Sequence, residues 1–199
     1  MFKQIDFHLK GIVPLIVNNG QMADPSHPFA KEIKGIRAAK KRSESLTEEQ
    51  SERIKYLEFM GSLYLNGTNR PILPGEGIEA AFRSFAKKTK KGKQAQYAVV
   101  CDQDPPIIYD GPKDPENLFK DKKFVLSKLV KIQGSRVMCT RAYFQEWEIK
   151  FTLNYMPDVF DRNEIIKIMQ TGGESVGMFD WRPKYGRFIV VSPKIKETK

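Results

Sequence analysis

Three groups of side chains in this 199-residue chain are of a type and spacing that could do chemistry. The first lies near the C-terminus, in Thr171-Gly172-Gly173-Glu174-Ser175-Val176-Gly177-Met178-Phe179-Asp180-Trp181-Arg182-Pro183-Lys184-Tyr185-Gly186-Arg187-Phe188. Trp181, Arg182, Lys184, Tyr185 and Arg187 there set flat rings and cations among glycines. Glycine lets a backbone approach a ligand closely, rings stack on bases, and cations neutralise phosphate. The second group is Lys87, Lys88, Lys90, Lys91 and Lys93, which could cover several phosphates and make affinity steeply dependent on salt. The third is Lys31, Lys34, Arg37, Lys40, Lys41 and Arg42, with Arg83 standing alone between the last two groups. Each group also has a plainer reading, as a structural turn or as the solvated end or face of a helix.

Catalytic signatures are sparse. Two histidines occur, His8 and His27, and metal-free RNA cleavage needs only such a group beside a positioned 2′-hydroxyl. There is no P-loop, HExxH, GxSxG or cysteine ligand set, so no cofactor and no metal are expected. Cys101 and Cys139 cannot form a disulfide framework.

The formal charge of +10, from 34 basic and 24 acidic residues, favours an anionic partner, nucleic acid before an anionic membrane face. A mean hydropathy of -0.48 and a longest apolar run of Ile12 to Val17 argue against a membrane span. Met1 to Asp6 lacks the apolar core of a signal peptide, so a cytoplasmic location is expected.

Several elements must position these groups. Ile5, Phe7 and Leu9 alternate with Asp6, His8 and Lys10, predicting a half-buried strand running toward Val17. Pro28 to Arg42 reads as a basic helix, and Thr47-Glu48-Glu49-Gln50 as the capping box of a second. In that second helix Ile54 with Leu57 and Tyr56 with Phe59 form two apolar faces. Residues 21–59 therefore read as a helical insertion. Asn66-Gly67 marks a hairpin, and Ile78, Phe82 and Phe85 mark a helix that the lysine run ends. Tyr97 to Cys101, Ile107 to Tyr109 and Phe124 to Ile132 are short strand candidates. Strict alternation from Glu146 to Tyr155 predicts a strand with one buried face. Asp161 to Glu164 caps a helix expected to end at Gly172-Gly173, and Phe188 to Val191 is the closing strand. Residues 192–199 read as a loose tail. Without the insertion the order is β-α-β-β-α-β, an α+β, ferredoxin-like or RRM-like core with an antiparallel sheet, forming one domain over 1–199.

Three segments in order resemble the RAMP superfamily, the RNA-binding proteins of CRISPR systems. Phe7-His8-Leu9-Lys10-Gly11-Ile12-Val13-Pro14-Leu15 resembles their opening strand. Arg70-Pro71-Ile72-Leu73-Pro74-Gly75-Glu76-Gly77-Ile78-Glu79-Ala80-Ala81-Phe82-Arg83 resembles the proline-glycine turn that starts their first helix. The loop from Gly172 to Arg187 resembles their C-terminal glycine-rich loop. By layout the chain is most similar to the backbone subunit that oligomerises along CRISPR RNA. Glu76 replaces a usual serine, and Phe179 and Trp181-Arg182-Pro183 interrupt the loop, so a free-standing relative from a phage or mobile element fits as well. The resemblance implies single-stranded RNA or DNA as partner, a homo-oligomer or filament, a thumb-like role for 21–59 and a nucleoprotein complex. It also implies an alternative, a metal-independent endoribonuclease using His8, or Asp24 on position alone. A third reading is a structural or assembly protein whose basic surface meets an acidic protein partner.

Overall fold

The computed structural model describes residues 1–39, 45–132 and 134–193. In chain order its elements are β1 (Lys3–Gly11), β2 (Leu15–Val17), α1 (Pro28–Ala39), α2 (Glu48–Ser62), α3 (Gly75–Ala86), α4 (Gly92–Ala98), β3 (Val99–Val100), α5 (Pro115–Lys120), β4 (Val125–Ile132), β5 (Ser135–Phe144), β6 (Glu148–Tyr155), α6 (Arg162–Ser175) and β7 (Phe188–Ser192). The architecture is α+β with antiparallel sheets. The chain divides into two compact units, Met1–Ile16 with Leu65–Gly111 and Phe144–Lys199, and Val17–Tyr64 with Pro112–Tyr143.

The first unit holds a four-stranded sheet in the order β3-β6-β1-β7. Alternation drives it: Ile5, Phe7 and Leu9 of β1 and Ile149, Phe151, Leu153 and Tyr155 of β6 are all buried. Phe7 lies opposite Phe151, and the two rings stack with centroids 5.7 Å apart. Helices α3 and α6 pack on each other, α6 also meets β7, and Phe85 of α3 reaches Phe188. The other row of the sheet, with Asp6, His8, Lys10, Lys150, Thr152 and Asn154, is polar and carries none of the aromatic platforms of an RRM.

Several expectations need correction here. The first strand stops at Gly11 instead of running on to Val17. A side chain at Gly11 would collide with the indole of Trp147, whose Nε1 donates to the Val13 carbonyl at 2.9 Å. Helix α6 runs through Gly172 and Gly173 to Ser175. Tyr97 belongs to the end of α4, leaving a strand of only Val99–Val100, and 107–109 contributes a single isolated bridge, Ile108 to Glu148. Strand β5 has no counterpart in the sequence reading.

The second unit contains α1, α2, α5 and the β4–β5 hairpin, so the segment 21–59 shares its unit with residues 112–143. Its sheet is built on the antiparallel β4–β5 hairpin, with Val125 opposite Ala142 and Ile132 opposite Ser135. The capping box of α2 is present, with Thr47 and Gln50 bonded reciprocally. Both apolar faces of α2 are used. Ile54 and Leu57 pack with Ile33 of α1, while Tyr56 and Phe59 meet the Phe119 ring. Glu58 and Ser62, one turn apart, accept the backbone N–H groups of Thr140 and Ala142 at 2.8 and 3.0 Å. The helix thereby supplies the acceptors that a neighbouring strand would otherwise provide.

Candidate nucleic-acid interface

The glycines of the C-terminal stretch are consumed by internal packing. A Cβ on Gly172 would overlap the Phe85 ring, and one on Gly173 would lie 2.6 Å from Phe188 Cδ2. Gly177 and Gly186 have φ of +76° and +73° and lie backbone against backbone. The Met178 N–H donates to the Gly186 carbonyl at 2.9 Å, and Gly186 N–H to the Pro14 carbonyl at 2.8 Å. Asp180 N–H adds a bond to Ile16. These contacts hold Phe179 and Trp181 at φ of +62° and +54°, a left-handed backbone that costs such residues roughly 1–3 kcal/mol each. The loop is a pinned turn, and no glycine in it waits for a ligand.

Its aromatic expectation is half overturned. Tyr185 is buried and cannot offer a face to a base. Trp181 is half-buried, its ring centroid 6.1 Å from that of Tyr185. What the loop does present is charge. Arg182 and Lys184 are exposed and have no carboxylate partner among the described residues. Arg187 is half-buried, with its Nε enclosed and lacking a hydrogen-bond partner.

The lysine run divides in the same way. Lys87, Lys88 and Lys90 are exposed on the turn between α3 and α4, and Lys93 is exposed in the first turn of α4. Lys88 donates to the neutral Ser175 hydroxyl at 2.7 Å and meets no carboxylate among the described residues. Lys91 is a correction: its Nζ sits 2.7 Å from Glu164 and 5.0 Å over the Phe160 ring, tying α4 to the start of α6. Arg83 stands at the edge of this turn, half-buried, and its Nε also lacks a partner. Four lysines therefore form an unspent cationic cluster at one end of α3.

The other end of α3 is closed to anions. Gly75 N–H donates to the Asp104 carboxylate at 2.8 Å, so the dipole already faces a negative charge. Gly75 is required because a Cβ would meet the Cys101 and Gln103 carbonyls.

In the second unit, Lys34 and Arg37 are exposed on α1. Arg37 approaches the Glu58 carboxylate at 3.2 Å, which spends part of its charge. Lys40, Lys41 and Arg42 lie outside the described residues, as do residues 194–199 of the tail.

Both catalytic candidates are engaged by neighbouring side chains. His8 Nε2 lies 2.7 Å from Glu148 Oε2, and Lys10 lies 3.6 Å from the same carboxylate. The His8 hydrogen bond, with help from Lys10, holds the Glu148 carboxyl below the usual range. Asp24 spends both oxygens on Ser26, accepting its N–H and its hydroxyl at 2.7 Å each, and these bonds lower its pKa. It closes the turn leading into α1. Among the described residues no group of His, Cys, Asp and Glu is placed to hold a metal ion, and no helix is long and apolar enough to cross a membrane. Neither a protein-family model nor a curated protein matches this chain.

Proposed function

We propose that this protein binds single-stranded nucleic acid through the first unit, as a RAMP-like protein with a ferredoxin-like core that assembles along the strand without cutting it. The carrying observation is the group of Lys87, Lys88, Lys90 and Lys93, exposed together and unpaired with any carboxylate among the described residues. Arg182 and Lys184 add exposed charge from the pinned loop. The connectivity of β1, α3, β3, β6, α6 and β7, with the first of these strands between the third and the fourth, supports the ferredoxin-like reading. With no aromatic ring on the open sheet face, affinity rests on phosphate contacts more than on stacking, so binding is weakly selective for sequence.

Fluorescence-anisotropy titration with labelled single-stranded RNA, single-stranded DNA and duplex at two salt concentrations tests this, with gels run on the same samples. Tight single-strand binding with intact probes is the expected result. Replacing all four lysines by alanine lowers the slope of log K against log salt by about 3, at about 0.7 for each phosphate contact on a single strand. An unchanged slope removes the cluster from the interface, and cleaved probe replaces the binder with a nuclease.

A further inference from the structure

We propose that Tyr97 stacks on a base of the strand that the lysine cluster holds, and that this ring makes the site prefer a single strand to a duplex. Phosphate contacts alone do not make that choice, because both forms present a phosphate backbone to exposed lysines. A ring does. In a duplex each base face is covered by its neighbours in the stack, whereas an unpaired strand leaves faces open. The role of Tyr97 rests on the nucleic-acid reading of the same cluster.

Most aromatic rings of this chain are covered. Among the described residues only Phe2 and Tyr97 are exposed, at 45% and 59%. Phe2 lies ahead of β1, whereas Tyr97 stands on α4, the helix that carries Lys93. Ala95 and Ala98 of that helix are buried, which leaves Lys93, Gln96 and Tyr97 on its open side. Lys93 and Tyr97 stand at i and i+4, so they are neighbours on one face, with Cβ atoms about 5–6 Å apart. The Tyr97 ring and hydroxyl have no partner among the described residues, and Lys93 meets no carboxylate there. One turn of helix thus sets a bare cation beside a bare ring. A nucleic-acid strand offers the matching pair, an anionic phosphate and a flat base, at every nucleotide.

The ring rides on a fixed element. At the start of α4 a Cβ on Gly92 would lie 2.7 Å from Lys87 Cγ, so the helix sits directly against the turn that carries the other lysines. At its end the Ala98 carbonyl accepts the Met156 N–H at 2.9 Å, and Val99 and Val100 pair with Tyr155 and Asn154 of β6. Tyrosine itself has only two side-chain torsions, so little entropy is lost when its ring is ordered on a base. The stacking expected of Trp181 and Tyr185, which the fold covers in part or in full, falls instead to Tyr97.

Anisotropy titrations of the full chain test this with three labelled probes. These are the homopyrimidine strand, of uridine or thymidine, that wild type binds more tightly, an abasic strand of the same length and backbone, and a duplex. Tyr97→Ala is expected to weaken binding of the homopyrimidine strand by roughly 5- to 150-fold. Its salt slope, and its affinities for the abasic strand and the duplex, stay as in wild type. Tyr97→Phe binds like wild type, since stacking needs the ring and not the hydroxyl. In Tyr97→Trp the homopyrimidine strand quenches the added indole emission beyond the change seen in wild type, and the abasic strand does not. A Tyr97→Ala variant that holds the homopyrimidine strand as tightly as wild type overturns the role of Tyr97 while leaving the lysine cluster in place. So does an equal loss on the abasic strand, which would mean that the ring supports the cluster instead of meeting a base. A wild type that binds none of the probes overturns this role and the nucleic-acid reading together.

Discussion

Alanine at Gly172 and at Gly35 should change stability in opposite directions, although both glycines lie within helices. Intrinsic propensity favours alanine over glycine by about 1 kcal/mol in a helix interior. At Gly35 in α1 nothing lies within 4 Å of the added methyl, so the full gain is available. At Gly172 the methyl would sit 2.5 Å from Phe85 Cβ and closer still to two ring carbons, where carbon atoms prefer about 3.5–4.0 Å. Phe85 is buried between α3 and Phe188 and cannot swing to solvent. Overpacking of this kind costs roughly 1–3 kcal/mol, and here it falls on the base of the ring, which moves only with the backbone of α3. Taking the upper half of that range, the net loss at Gly172 is about 1–2 kcal/mol, against a gain of about 1 kcal/mol at Gly35. Urea unfolding followed by circular dichroism measures both, provided the slope of each transition is unchanged. If the two units unfold in separate steps, each variant moves only the transition of its own unit. A Gly172→Ala variant as stable as wild type would show that α3 and α6 are not packed as closely as described, and the glycine would return to the list of ligand-facing residues.

Other outcomes follow from the same contacts. Lys91→Ala should lower stability through loss of its contacts with Glu164 and Phe160 while leaving the salt slope of oligonucleotide binding unchanged, in contrast to Lys93→Ala, which should lower the slope by about 0.7. Glu58→Ala strands the buried Thr140 N–H and releases Arg37, so a loss of about 2–4 kcal/mol is expected in urea unfolding, with Glu58→Gln milder. The Glu148 carboxyl, lowered chiefly by His8, contributes stability above its unfolded pKa that is lost as pH falls through the lower folded value. Stability measured from pH 5 downward should therefore drop less in Glu148→Gln than in wild type. Burial pushes the Cys101 thiol up to about 11, so at pH 8 iodoacetamide should leave it unmodified until denaturant is added, as read by peptide mass spectrometry.

Much of this fold was legible in the sequence because its signals are local. The alternation through Ile149, Phe151, Leu153 and Tyr155 needs only a buried neighbour to become β6, and Thr47-Glu48-Glu49-Gln50 carries its own cap geometry. The stripe of Ile78, Phe82 and Phe85 likewise marks α3 without reference to any other element. Strand β5 escaped notice because Arg136, Thr140 and Arg141 blur its alternation, and its edge is completed by Glu58 and Ser62, far away in sequence. The candidate site was legible as charge but not as geometry. Counting lysines found the cluster after α3, yet nothing local distinguishes Lys91, held by Glu164, from Lys93, which has no carboxylate partner among the described residues.

The glycine stretch shows the boundary most clearly. Sequence alone determined that a glycine-containing stretch lies between a helix opened at Asp161 and a closing strand at Phe188. Why glycine is needed was decided only by the partners that the fold delivers: the Phe85 ring at Gly172, the Phe188 ring at Gly173, and the facing backbones of Gly177 and Gly186. A glycine that admits a ligand and one that admits a neighbouring ring are identical in a sequence, because both report only the absence of a side chain. Which object fills that space is a property of distant residues brought together, and that is what the tertiary structure supplies.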